Sequence, residues 1–449
     1  MRNRWIRKLA LTLAGILTLT GCGGGEPALL LTAPAYPEMA AYPNEQEYMD
    51  RDSGFFDSEG FSAVYNAWAK ARAERREQPE GYTDGTGAFT RRAAEAFLTD
   101  AEENALLSPL NVYLALGMLA EVTDGNGRAQ ILAALGTDSM EILRRRADSL
   151  WNANYCNDGA LTCLLASSLW LNRNVSYHME PLETLSAVYR ASAYQGTMGN
   201  PAYDRMLQDW LNENTGGLLK EAVGNLAMDP STILALASTV YYRAKWDKEF
   251  QAENNEERIF HSPAGDVECT FMKQTDTHGT YYWSEHFGAI SRRMEEGGRM
   301  WLILPDEGID MDTVLTGDAL YQLLDPAFVW EDQKTLKIHQ YIPKFDVSSD
   351  TEMRKGLAAM GITDVFDPAA ADFTPLTDTG NVCLSQAKHA VRVAIDEDGV
   401  TAASYVAMMM AGAARPPEEE MDFILDRPFL FVLTGTDEVV LFMGVVNQP

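Results

Sequence analysis

The stretch that decides the fold lies in the C-terminal third. Val391-Arg392-Val393-Ala394-Ile395 runs into Asp396-Glu397-Asp398-Gly399, and then into Val400-Thr401-Ala402-Ala403-Ser404-Tyr405-Val406-Ala407-Met408-Met409-Met410-Ala411-Gly412-Ala413-Ala414. The first five residues read as a strand. The run after Gly399 is long, uncharged and rich in small residues, and it stops at Arg415-Pro416-Pro417-Glu418-Glu419-Glu420. Taken alone, this segment has two readings. It is a buried helix, since Ala and Met are good helix formers, or it is a segment able to enter a sheet.

Working outward, helices come first: 89–98, 110–120 and 128–135 carry helical patterns. Apolar or alternating runs at 165–171, 232–243, 289–304, 391–395, 429–433 and 439–446 then intermix with helices. This is an α+β pattern without the regular alternation of a parallel doubly wound sheet. No internal repeat is visible, and nothing after Phe89 reads as an interdomain linker. The chain has 449 residues, 46% of them apolar, enough for a sizeable core.

The N-terminus reads differently. Basic residues Arg2, Arg4, Arg7 and Lys8 precede an apolar run from Leu9 to Leu19, too short to span a bilayer and typical of a signal peptide. Leu19-Thr20-Gly21-Cys22 resembles the bacterial lipobox, which implies a signal peptide over 1–21 and a lipid on Cys22. The chain is then extracytoplasmic and anchored to the bacterial cell membrane. Residues 23 to about 60, rich in Pro, Gly, Tyr and acidic residues, read as a spacer beginning with the flexible Gly23-Gly24-Gly25. Phe61, Val64, Tyr65 and Trp68 form one stripe of a helix that ends before Pro79, with Lys70, Arg72, Glu74, Arg75, Arg76 and Glu77 as its charged opposite face. Such a helix docks on the main body or meets a partner, and docking is the favoured reading.

Charge excludes one class. The net charge is −29, and without the four leader cations 32 basic residues face 65 acidic ones. Phosphate binding needs the opposite balance, so nucleic acid is not a partner. Cys156, Cys163, Cys269 and Cys383 form no CxxC pair or Cys/His cluster, so no metal is expected. They are disulfide partners or buried thiols; spacing does not decide. Ser385-Gln386-Ala387-Lys388 fits an SxxK pattern, but no SDN or KTG accompanies it. No GxSxG, Walker loop or HExxH is present, so an enzyme is not expected.

A family resemblance resolves the opening segment. Ile395 to Ser404 (IDEDGVTAAS) resembles the hinge of a serpin reactive-centre loop. Further stretches match that family in order: Asn104 to Leu110 (NALLSPL), Asn126 to Leu132 (NGRAQIL), Trp210 to Gly216 (WLNENTG), Tyr241 to Trp246 (YYRAKW), Ile342 to Phe345 (IPKF), Leu357 to Phe366 (LAAMGITDVF), Arg427-Pro428-Phe429 and Phe442 to Asn447 (FMGVVN). The matches span about Phe89 to Pro449.

The resemblance implies an α+β serpin fold with three β-sheets, about eight or nine helices and an exposed reactive-centre loop. It places the serpin domain at 87–449, with 22–86 as tether and helical extension. The implied function is suicide inhibition of a serine protease: a cleaved loop enters the central sheet and carries the acylated protease with it, strand insertion being a known mode of stored strain. The hinge is then Glu397, Gly399, Val400, Thr401, Ala402, Ala403 and Ser404. Val400, Ala402, Ser404 and Val406 form one alternating set of small or medium residues suited to the core side of a sheet, with Tyr405 on the other parity. Ser108, Trp246, Lys344 and His389 match positions that govern sheet opening, with Lys344 and Glu397 as an ion pair. Asn111 and Ser238 depart from the family's usual serine and asparagine, Val400 from its Thr or Ser, and Thr401 from its Glu. These departures bear on how easily the sheet parts.

Counting from Gly399 places the reactive bond at Ala413–Ala414, which suits an elastase-like or subtilisin-like serine protease preferring a small residue. Counting back from Pro428 points to Arg415, but Pro416 would resist cleavage there. The expected species is a monomer without cofactor. The alternative is a non-inhibitory serpin-fold binding or structural protein, cleaved as a substrate.

Overall fold

The computed structural model describes residues 28–50, 55–224, 226–384, 387–400 and 417–449. In chain order the elements are β1 (Leu29–Thr32), α1 (Ser58–Arg76), α2 (Thr86–Phe97), β2 (Ala105–Leu107), α3 (Pro109–Val122), α4 (Gly125–Ala134), α5 (Met140–Asn154), β3 (Cys156–Asn157) and β4 (Thr162–Asn172). Next come α6 (Met179–Val188), β5 (Ala191–Gly196), α7 (Pro201–Glu213), α8 (Lys220–Val223), β6 (Leu234–Lys245), β7 (Glu256–Ser262), β8 (Gly265–Trp283), β9 (Phe287–Arg293) and β10 (Arg299–Pro305). The chain continues through α9 (Met311–Thr316), α10 (Asp318–Leu324), β11 (Gln333–Pro343), β12 (Phe345–Glu352), α11 (Arg354–Ala359), β13 (Lys388–Ile395), β14 (Gly399–Val400), β15 (Glu420–Ile424), β16 (Phe429–Thr434) and β17 (Val440–Val446).

The first sheet has the order β1-β5-β4-β6-β14-β13-β12, with β3 hydrogen-bonded to β4. The second runs β15-β11-β8-β9-β10-β16-β17-β2, with β7 on β8. The 19-residue strand β8 pairs with β7, β9 and β11, so the strands around it hydrogen-bond as one continuous network. The helices beyond the expected eight or nine are short segments such as α8, α9 and α11, of four to six residues.

The core forms where apolar strands meet an apolar helix. Every residue of β16 and β17 is buried, as strands covered on both faces require. All of α3 except Ala115 is buried, and it packs between β6 and β17. A helix apolar all round belongs in an interior. Pro109 at its first turn and Ser108 at its N-cap fix where it starts.

The N-terminal stretch differs from the reading as a spacer. Leu29–Thr32 adds antiparallel to β5 and forms an edge of the first sheet. The helix over 58–76 does dock on the main body, through Tyr65 and Arg72 onto Glu296 and Asp158, while Phe61 and Trp68 pack on Tyr48, Phe56 and Tyr42 of the preceding segment and Val64 stays exposed. Arg72, assigned to the charged solvent face, is instead buried in the docked one. Cys156 and Cys163 face each other across the β3–β4 pair, and all four described cysteines are free thiols. Residues 1–27, which include Cys22, lie outside the described residues, as do Thr401 to Pro416 and the Ser385-Gln386 pair.

Candidate functional site: a slot in the first sheet

Strands β6 and β13 are neighbours in sheet order only through the two-residue β14. Gly399 pairs with Lys245 and Val400 with Ala244 on one side, and Val400 pairs with Ile395 on the other. Below this plug, among the described residues, 234–243 of β6 ladder with β4 only and 388–394 of β13 with β12 only. Among the described residues β6 and β13 make no ladder with each other. The space between them is a cavity of about 590 Å³, floored by Ser108 and Asn111 and covered by Leu211 and Leu218 from the α7–α8 region. Two facing strand edges with unused ladder groups are a template for one more strand.

The loop leaves through a tight turn. Asp396 N–H donates to the Gly399 carbonyl at 3.0 Å, and the Asp396 carboxylate accepts from the N–H groups of Asp398 and Gly399, each at 3.1 Å. A Cβ on Gly399 would lie 2.2 Å from the Ala244 oxygen and 2.7 Å from Lys245 Cα. Glycine is needed there for close approach of two backbones.

The segment after β6 wraps this turn. Trp246 N–H donates to the Asp398 carbonyl at 3.0 Å, Trp246 Nε1 to the Asp396 carbonyl at 2.9 Å, and Phe250 N–H to the Glu397 carbonyl at 3.0 Å. Lys344 Nζ lies 2.8 Å from the Glu397 carboxylate, to which Asn255 also donates. Burial opposes ionisation of Glu397, but these two hydrogen bonds outweigh it and hold its carboxyl below the usual range. Hinge residues Glu397, Gly399 and Val400 are thus assembled with Trp246 and Lys344. Hinge residues Thr401, Ala402, Ala403 and Ser404, and the bait residues Ala413, Ala414 and Arg415, lie outside the described residues.

Ser108 and His389 meet on the floor. The Ser108 N–H donates to His389 Nε2 at 3.0 Å, while its hydroxyl donates to the Leu441 carbonyl at 2.6 Å. The hydroxyl also accepts from Asn111 N–H, so the serine caps α3 and contacts the slot at once. Asn111 and Ser238, two of the four departures from the family pattern, hydrogen-bond each other. Asn111 Nδ2 donates to the Ser238 carbonyl at 3.1 Å, and the Ser238 hydroxyl donates back to Asn111 Oδ1. The exchange is reciprocal, so a polar bridge from α3 to β6 survives it.

Burial pushes His389 down to about 4 from its ordinary 6.5. Between those values the unfolded chain binds a proton that the folded one rejects. His389 therefore costs nothing above about pH 6.5 and destabilises progressively as pH falls towards 4, by about 2 kcal/mol at pH 5. The melting temperature should fall between pH 7 and pH 5, and less so in His389→Gln, which keeps an acceptor for Ser108. Equal losses in both proteins would remove the histidine from the account.

Several residues here were not legible in the sequence. Asn255 and Phe250 sit in an unpatterned connection, and Arg292 sits in the polar-looking Ser291-Arg292-Arg293. The structure buries Arg292 under Trp246.

The comparisons with known proteins agree with this architecture. The sequence profile of the family described as serpin (serine protease inhibitor) matches residues 85–449. Plasminogen activator inhibitor 1 of Sus scrofa is 26% identical over 368 residues, covering 78% of this chain and 87% of the relative. Neuroserpin of Homo sapiens is 28% identical over 371 residues, with the same two shares of 78% and 87%. Among solved structures, the thermophilic serpin tengpin in its native state superposes with a TM-score of 0.73 at 24% identity, over 83% of this chain and 95% of that one. At that identity the superposition speaks for the fold alone.

The chain is a protein of α+β architecture built around a partly open sheet, and it belongs to the serpin family. That family is one of protease inhibitors, not of enzymes.

Proposed function

We propose that this chain inhibits a serine protease by suicide loop insertion. The observation that carries the reading is the slot: among the described residues, 234–243 of β6 have no ladder partner on the side facing β13, and the loop's first two residues are already laddered at its top. The protease's serine attacks the carbonyl of Ala413, the Ala413–Ala414 peptide bond breaks, and Ala414 leaves as the amine. The ester to Ala413 persists if the loop zips into the slot before water reaches it. General base and oxyanion hole belong to the protease. Small residues at the bait bond suit an elastase-like or subtilisin-like target.

The test mixes the chain from Gly23 onward with an elastase-like protease and with subtilisin, and the products are run on a denaturing gel. A band at the combined mass supports trapping, and the released peptide's N-terminus locates the bond. Clean cleavage without that band, with no rise in melting temperature, overturns the reading.

We also propose that Cys22 carries lipid and holds the chain, as a monomer, on the outer face of a bacterial membrane. Cys22→Ser should move the protein from the detergent phase to the aqueous phase. An unchanged partition would remove the anchor.

A further inference from the structure

The inward row of β9 contains Ile290, Arg292 and, just beyond the strand, Met294. Packing in that row would be served by an apolar residue at 292. Arg292 instead brings a buried guanidinium, a choice that costs free energy unless its donors are satisfied. Among the described residues it forms no ion pair, and Asp276 and Asp247 act on it only from further away. Its partners are neutral. One terminal nitrogen donates to Gln340 Oε1 at 2.5 Å; the other donates to the Lys248 carbonyl at 2.6 Å and to Gln274 Oε1 at 2.7 Å. The guanidinium carbon also lies 4.1 Å from the ring centre of Phe250 and 5.1 Å from that of Trp246. Burial pushes its pKa down to about 9, so it stays cationic at neutral pH.

These contacts fall into two groups. Gln274 on β8 and Gln340 on β11 belong to the second sheet. Trp246, Lys248 and Phe250 belong to the segment that wraps the Asp396–Asp398 turn, with three hydrogen bonds onto that turn's carbonyls. Backbone bonds from Asp247 N–H to the Arg293 carbonyl and from Glu295 N–H to the Lys245 carbonyl, and Gln274 donating to the Glu249 carbonyl, also tie segment 246–250, the clamp, to the second sheet. Arg292 adds the buried side-chain tie, the one that also lies against the Trp246 and Phe250 rings, and the clamp in turn holds the turn from which the loop departs.

We propose that Arg292 is a positioning residue that holds the top of the slot shut and so sets how fast the loop inserts. The proposal deepens the loop-insertion reading and rests on it. Bidentate contacts from a charged donor, with two ring contacts, set a definite geometry that an aliphatic chain does not reproduce. Without them the clamp drifts, the turn loses its three donors, and β14 lengthens downward between β6 and β13 without waiting for cleavage.

The test compares the parent with Arg292→Met and Arg292→Lys. Each protein is held below its melting temperature without protease, and conversion of the loop-exposed to the loop-inserted form is tracked by native gel and by the appearance of a heat-resistant transition. Arg292→Met should convert at least about tenfold faster, from loss of charged hydrogen bonds and cation–π contacts. Arg292→Lys should stay within about threefold of the parent, because it keeps the charge over the rings and one carbonyl contact. The loop-cleaved forms should all melt alike.

Parental conversion by Arg292→Met overturns the proposal. So does acceleration by Met and Lys alike with equal destabilisation of the cleaved forms, which is what general loss of packing gives. A parallel gel with protease separates the two readings. If the parent traps nothing, inhibition falls, while the conversion rates, which need no protease, still decide Arg292.

Discussion

Val400→Arg is expected to turn the trap into a substrate. Val400 is 3% exposed and laddered to Ala244 and Ile395, so its side chain already lies on the core side of the first sheet. Insertion below it would place Ala402, Ser404 and Val406 on that same side, by the two-residue period of a strand. An arginine at 400 must carry a guanidinium to the buried position that Val400 now fills among apolar neighbours, at a cost of several kcal/mol. In the proposed mechanism the acyl-enzyme has two exits, hydrolysis and insertion. Raising the insertion barrier by even about 3 kcal/mol shifts that competition by about a hundredfold towards hydrolysis. The covalent band should vanish while cleavage continues, and the cleaved product should melt with the uncleaved protein. The variant should still fold, because the first two loop residues can back out of the slot with the loss of one short ladder. Parental yield of the covalent band would sink the insertion model.

The effect is this large because the sheet is unfinished. An exposed pair of strand edges is a liability that folded proteins normally cover. Here the edges of β6 and β13 lie under α7 and α8 and above the α3 N-terminus, so no outside strand reaches them easily. The strand that fits is tethered to β13 by a three-residue turn. In the proposed mechanism this stored free energy is released when the loop enters the slot, with cleavage the fast route, so residues that hold the top of the slot matter as much as the bait.

Much of this arrangement was legible before the structure. The strand at 391–395 carries a strand period that needs no partner to be read, whereas the small-residue run after Gly399 takes its reading from the family resemblance. Trp246, Lys344 and His389 were legible only through resemblance, because a lone indole, lysine or histidine has no pattern of its own. What escaped was set by distant partners. Leu29–Thr32 is four residues long in a Pro-rich stretch, and it becomes a strand because β5, more than 150 residues later, offers an edge. β12, Phe345-Asp346-Val347-Ser348-Ser349-Asp350-Thr351-Glu352, is too polar to declare itself, yet it pairs along its whole length with β13. Arg72 reads as part of a charged helix face, and Arg292 sits inside the run 289–304 with nothing in the sequence to single it out. Only the fold shows that each is buried against aromatic rings.

Arg72→Ala should strip the N-terminal helix from the top of the sheet and destabilise the protein by about 3–5 kcal/mol. The Arg72 side chain is 6% exposed and sits 3.4 Å from the carboxylate of Asp158, itself 3% exposed, and 2.7 Å from that of Glu296. It also donates to the Glu296 carbonyl and stacks on Trp68 at 4.9 Å. Asp158 belongs to the β3–β4 turn and Glu296 to the β9–β10 turn, so one guanidinium ties α1 to two separate hairpins beside the slot. Tyr65 reinforces the second tie with a 2.7 Å hydrogen bond to Glu296. Alanine would leave the buried Asp158 carboxylate its hydrogen bonds from the N–H groups of Ala160 and Leu161 but take away the cation paired with it. A buried charge that has lost its partner is the severe case, far more so than a broken surface pair. The uncleaved protein should melt several degrees lower, and trypsin should cut early at Arg75 or Arg76. Adding Asp158→Asn removes the stranded charge and should recover a substantial part of the loss, because burying an amide costs less than burying a carboxylate. If Arg72→Ala melts with the parent, or if Asp158→Asn recovers nothing, the helix is held by its aromatic face alone.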